Sequence, residues 1–206
     1  MASAKRSATP RKPYPVAQLV ERARTGSAIA SRWRTSGPVL GIDLSLRHSG
    51  LSVFTNAGIN QRCMTIEEIL ERGSKHDPPI PEPERIARML RIANEIVRVV
   101  RIFRIRHVGM EGFAHDARYQ SHQLGEVAGV VKSQLWLNFG IAPRICPPSS
   151  ARKHVIGYGG SVSKTDIQQA VEEGLGIVVA NHHEADASVV GRYTFDMVAA
   201  EEQEAR

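Results

Sequence analysis

Val39-Leu40-Gly41-Ile42-Asp43-Leu44-Ser45 is the stretch that decides how this chain is read. Apolar residues flank one acid, as in a short buried strand. With a period of two, Leu40, Ile42 and Leu44 fall on one face, and Asp43 falls on the other beside Gly41. A carboxylate in such a strand is costly unless it is paired or coordinated. Gly41 leaves room beside it for a ligand or another backbone. From this stretch alone, a metal ligand and a satisfied core aspartate are both open. Further acids and imidazoles at element ends would favour the metal.

Working outward, two more strands follow at short intervals. Arg47-His48-Ser49-Gly50 reads as a turn, Leu51-Ser52-Val53-Phe54 as the second strand and residues 60–66 as the third. The short turns predict an antiparallel meander. Residues 72–83 hold four prolines and read as a loop. A long helix is predicted from about Glu84, with Ile86, Met89, Leu90, Ala93, Ile96, Val97 and Val100 on one stripe and arginines on the other, solvated side. His107 to Phe113 is again a strand, with Glu111 near its C-terminal end. A helix between two strands makes them parallel, and the C-terminal ends of parallel strands are where such folds place their sites. A helix over 121–139, a strand over 141–146, a short helix after Pro147-Pro148 and a capping box at Ser163-Lys164-Thr165-Asp166 complete the middle of the chain. Asn181-His182-His183-Glu184-Ala185-Asp186 opens the last helix, where His183 and Asp186, three apart, share a face. Glu184 points about 100° away from His183, so it is expected outside any metal shell.

Composition narrows the function. The 206 residues carry a formal charge of +6. Eight of the 27 Lys and Arg, against one of the 21 acids, fall within residues 1–36, so the rest is nearly neutral. That segment reads as a basic, flexible N-terminal arm, with a short helix around Val16, Leu19, Val20 and Ala23, before a boundary at Thr35-Ser36-Gly37-Pro38. Basic arms commonly contact nucleic-acid phosphates. An organelle transit peptide or a solvated tail has the same composition. No apolar run approaches a membrane span. Cys63 and Cys146 match no metal-ligand spacing and fit a reducing compartment.

Three element ends thus carry Asp43, Glu111 and His183/Asp186. Hard divalent cations take oxygen ligands, and a metal pair can clamp both the attacking and the leaving oxygen of a phosphodiester. Gly41-Ile42-Asp43, Glu111-Gly112-Phe113, Leu124-Gly-Glu-Val-Ala-Gly129, Gly157-x-Gly-x-Ser-x-Ser-Lys164 and His183-x-x-Asp186-Ala187 occur in an order and spacing that resembles the RuvC family of Holliday junction resolvases, within the ribonuclease H-like superfamily. The match spans about residues 38–198.

The resemblance implies an α/β, ribonuclease H-like fold with a five-stranded mixed sheet flanked by helices, a nuclease domain over 37–206, and a homodimer. It implies crossover junction endodeoxyribonuclease activity, with Mg²⁺ or Mn²⁺, two per site, held by Asp43, Glu111, His183 and Asp186. Lys164 would stabilise transition-state charge, Lys153 and Lys164 would hold phosphates, and Phe113 would stack on bases at the junction centre. Arg118, within the stretch Asp116 to His122, is assigned to DNA binding as well. His183 stands where many members have aspartate, and the basic arm and Pro-rich loop are additions. The expected compartment is the cytoplasm of a bacterial or phage-infected cell. The rivals are another ribonuclease H-like nuclease, RNA-directed or transposase-like, and a non-catalytic DNA-binding protein on that fold; four intact ligand types argue against the latter.

Overall fold

The structure is a computed structural model that describes residues 15–30, 33–70, 78–112 and 121–206. Five strands form one mixed sheet: β1 (Val39–Asp43), β2 (His48–Phe54), β3 (Asn60–Glu67), β4 (His107–Glu111) and β5 (Arg144–Cys146), in the order β3-β2-β1-β4-β5. β1 to β3 form the antiparallel meander, while β1, β4 and β5 run parallel. The expected turn at His48-Ser49-Gly50 is instead the start of β2, with Gly50 opposite Asp43. Those residues look like a turn because they are polar or small. They are strand because the last helix covers them.

The alternation in β1 divides the core into two layers. Leu40 and Ile42 face a cluster built with α2 (Glu82–Phe103) and α3 (Ser121–Phe139), including Ile92, Ile96, Val127 and Leu135. Val39 belongs to the other cluster, around α6 (His182–Glu204). The α2 stripe is rotated from the expected one: Ile92 and Val99 are buried, whereas Ile86 and Leu90 are 45% and 39% exposed. Arg85, Arg88, Arg91 and Arg98 are paired with acids, and Arg101 lies over the Phe139 ring. Arg85 bonds Glu82 on its own helix and Glu126 on α3, and Arg91 bonds Glu68 beyond β3.

α6 is central because small residues admit it. A Cβ on Gly41 would lie 2.2 Å from the Ala187 carbonyl oxygen, and one on Gly50 would lie 1.9 Å from that of His183. Both approaches are far inside van der Waals contact, so only glycine fits at either place. The remaining helices, α1 (Val16–Ala30), α4 (Pro148–Ile156), α5 (Lys164–Gln169) and the π-helical turn Ala170–Leu175, pack on the outer side of this layer.

The segment 1–36 is therefore not a free arm over its whole length. Leu19 and Ala23 are fully buried against Val155, Ile156, Ala170 and Val171 in this layer. The helix also runs past Thr25-Gly26, where its end was expected. Residues 1–14 lie outside the described residues, as do residues 72–77 of the Pro-rich loop.

Candidate active site

Three backbone elements deliver the acidic residues to one place. β1 and β4 are parallel and in register, Ile42 opposite Met110, so Asp43 and Glu111 emerge side by side at the same end of the sheet. Asn181 caps α6, its side-chain oxygen accepting from the His183 and Glu184 amides. Gly50 lets that first turn descend onto β2. His183 Nδ1 then donates to Asp43 Oδ2 at 3.1 Å. Asp186 is one turn further along the same helix face.

The electrostatics are those of crowded, dehydrated acids. Burial pushes the Asp43 carboxyl up to about 7, with the Asp186 charge adding to it; a hydrogen bond shared with Glu111 works the other way. Burial, the Asp43 charge and the shared hydrogen bond together raise Glu111 to about 8, with Arg152 opposing them. Asp186 rises to about 6 through burial and the Glu111 charge. His183 is lowered by burial and by the charge of Lys164, which leaves a neutral imidazole at neutral pH. Three carboxyl groups that resist ionising next to one another, with a neutral imidazole, form a donor set suited to a hard divalent cation, whose charge would remove the penalty. Among the described residues no three such groups are drawn into a ready-made metal cage. Asp43 and Glu111 are instead hydrogen-bonded to each other.

Basic groups line the rim. Lys164 begins α5 and its ammonium donates to His182 Nε2 at 2.7 Å. Its charge lowers the Asp43 and Asp186 carboxyls. Arg152 of α4 lies 3.7 Å from Glu111 Oε1 and offsets part of the Glu111 shift. Sequence reasoning passed over Arg152, because a lone arginine beside Lys153 has no spacing that marks it. It also passed over His182 and over His48, whose ring centroid is 5.8 Å from that of His183. The adjacent pair His182-His183 was the available signal. Lys153 lies on α4 beside Gly159, lining a shallow pocket with Ser149 and Gly157. Phe113 and Arg118, the two other expected DNA contacts, lie outside the described residues.

Glu184 turns away from the cluster. Its Oε1 accepts from Thr65 Oγ1 at 2.9 Å and its Oε2 from the Ala180 amide at 2.8 Å. Both oxygens are engaged and the residue is buried. It ties the start of α6 to β3.

No family model matches the chain, and no curated protein matches it. Solved structures match in fold. Thermus thermophilus RuvC matches with a TM-score of 0.59 and 20% identity, over 81% of this chain and 96% of its own. T. thermophilus RuvC in complex with a Holliday junction substrate matches at 0.61 and 22%, over 80% and 96%. Ydc2, the yeast mitochondrial Holliday junction resolvase, matches at 0.52 and 14%, over 91% and 92%. The fold is the ribonuclease H-like α/β fold of these proteins. No helix among the described residues is long and apolar enough to cross a membrane.

Proposed function

We propose that the chain is a divalent-metal-dependent endodeoxyribonuclease that nicks four-way DNA junctions symmetrically. The observation that carries this reading is the convergence of Asp43, Glu111 and Asp186, with raised carboxyl pKa values, at one end of a sheet shared with known junction resolvases. Asp43, Glu111, His183 and Asp186 would hold two Mg²⁺ or Mn²⁺ ions. When bound, these would supply Lewis acidity at the phosphate and a more acidic water.

The chain's own groups do the rest. The Lys164 ammonium, oriented by His182, meets charge developing on the phosphate oxygens. Arg152 holds the Glu111 side chain in place. Lys153 and basic residues of the N-terminal segment contact neighbouring phosphates, while Phe113 stacks at the junction centre and Arg118 binds nearby DNA. A homodimer presents two such sites to a two-fold junction. The two free cysteines, Cys63 and Cys146, fit a reducing compartment such as the cytoplasm of a bacterial or phage-infected cell.

The test is to incubate the protein with a synthetic four-way junction, a matched duplex and an RNA–DNA hybrid, with and without Mg²⁺ or Mn²⁺. Paired, symmetric nicks in the junction alone, and only with metal, are expected. Preferential cutting of the hybrid, or no cutting with either metal, overturns the reading.

A further inference from the structure

At the opposite end of the sheet from the carboxylates, a pocket of about 450 Å³ opens between the β2–β3 hairpin and the segment that follows the π-helical turn. Phe54 marks that end, since it pairs with Val39 at the start of β1. Arg192 of α6 lines it. This arginine is 5% exposed, and its Nη2 has no hydrogen-bond partner. Its Nε donates to Asp196 Oδ1 at 3.0 Å, but the other Asp196 oxygen is taken by His154 Nε2 at 2.9 Å. Asp196 thus meets the guanidinium at Nε and leaves Nη2 without a partner. A buried guanidinium with unmet donors is expensive, and a bidentate anion is the partner that satisfies it.

The surroundings point to the same ligand. The described lining contains two arginines, Arg62 and Arg192, and no acid. Two backbone irregularities meet there: the β2–β3 register shifts between Val53 and Phe54, and the π-helical turn Ala170–Leu175 delivers Leu175 to the wall. Such features recur beside binding sites. The rest of the lining mixes polar Asn60, Gln61 and Cys63 with apolar Phe54, Leu175 and Ile177, and Ile59 and Val178 stand at the rim, 65% and 90% exposed. A fully charged phosphate would lose hydration against the apolar rim, whereas a carboxylate carrying an apolar group would match both the guanidinium and the rim.

We infer that this pocket is a second binding site, separate from the nuclease reading, that takes a carboxylate adjoining an aliphatic group. Two sources share that chemistry, a peptide C-terminus and a small branched-chain acid. The full chain, isotope-labelled, would be titrated by NMR with N-acetyl-leucine, 4-methylpentanoate, N-acetyl-leucinamide and inorganic phosphate. Saturable shifts confined to residues 57–63, 175–178 and 192 are expected with the two acids, and at least tenfold weaker binding with the amide and with phosphate. Tighter binding of N-acetyl-leucine than of 4-methylpentanoate assigns a peptide C-terminus; equal or weaker binding assigns the small acid.

Val178→Glu places a like charge at an exposed rim position and should weaken acid binding at least tenfold without changing the melting temperature. Arg192→Gln, if folded, should do the same, and Val178→Glu carries the test if it is not. Equal binding of acid and amide, phosphate binding as tightly as the acids, or unchanged affinity in Val178→Glu overturns the inference.

Discussion

Two buried acidic regions meet at the first turn of α6, and they are resolved in opposite ways. Glu184 has a donor for each oxygen, Thr65 on one side and the Ala180 amide on the other. Two residues along, Asp186 faces Asp43 and Glu111, where burial and mutual repulsion hold all three carboxyls well above their ordinary range. The first region is a finished structural joint. The second carries a penalty for ionising that a nearby positive charge would relieve. On the proposed function, the contrast separates an acid that serves folding, the buried Glu184, from acids that serve chemistry, among them the half-buried Asp186 on the same helix.

The sharpest way to break this contrast is at Asp43. Asp43→Asn keeps the shape and removes the charge. On the proposed function it should lower junction cleavage at least about a thousandfold, about 4 kcal/mol of transition-state stabilisation, with junction affinity largely retained in a gel-shift assay. Cleavage near the wild-type rate would remove Asp43 from the site.

The second effect is on stability. Asp43 and Glu111 have folded-state values of about 7 and about 8, above their ordinary values. Below about pH 3 both folded and unfolded chains hold most of these protons and the penalty is small. As the pH rises, the unfolded chain ionises first, so unfolding is favoured until the folded groups ionise at about 7 to 8. Metal-free protein should therefore lose on the order of a few kcal/mol between pH 4 and pH 8. Thermal melts across that range would show it, and Asp43→Asn should flatten the curve. Rising stability toward pH 8 without metal would contradict the account.

Glu184→Gln is the matching probe of the finished joint. The amide can accept from only one of its two donors, so about 1–3 kcal/mol of stability should be lost. Cleavage by the folded fraction should stay within severalfold of wild type. A severe loss of activity with an unchanged melt would place Glu184 among the groups that serve the chemistry.

How much of this was legible in the sequence differs between the regions for a physical reason. Asp43 and Glu111 stood out because apolar runs surround them, and His183 and Asp186 because three-residue spacing fixes a shared helix face. The divergence of Glu184 followed from the same helix geometry. The partners of Glu184 did not, because Thr65 lies more than a hundred residues away and nothing local ties it to α6. The N-terminal helix was underestimated for a different reason: a net basic charge says where a segment would go in solution, and conceals that Leu19 and Ala23 fill a gap in the core. Arg152 and the π-helical turn carry no periodic signal at all.

A smaller effect sharpens the role of the imidazole. A nitrogen ligand among carboxylates softens the donor set, which favours Mn²⁺ relative to Mg²⁺. His183→Asp should keep activity and move the ratio of Mn²⁺- to Mg²⁺-supported rates toward Mg²⁺. A ratio unchanged by the substitution would mean that His183 only packs against Asp43.

The most direct test of the central claim is a Mn²⁺ titration at pH 7 followed by electron paramagnetic resonance, with proton release recorded in weak buffer. Ligand carboxyls must lose their protons to bind a cation. The wild type should bind Mn²⁺ and release protons held between Asp43 and Glu111. Asp43→Asn and Asp186→Asn should lose that binding, and Glu184→Gln should retain it. Mn²⁺ binding that survives in Asp43→Asn, or disappears in Glu184→Gln, would contradict the account.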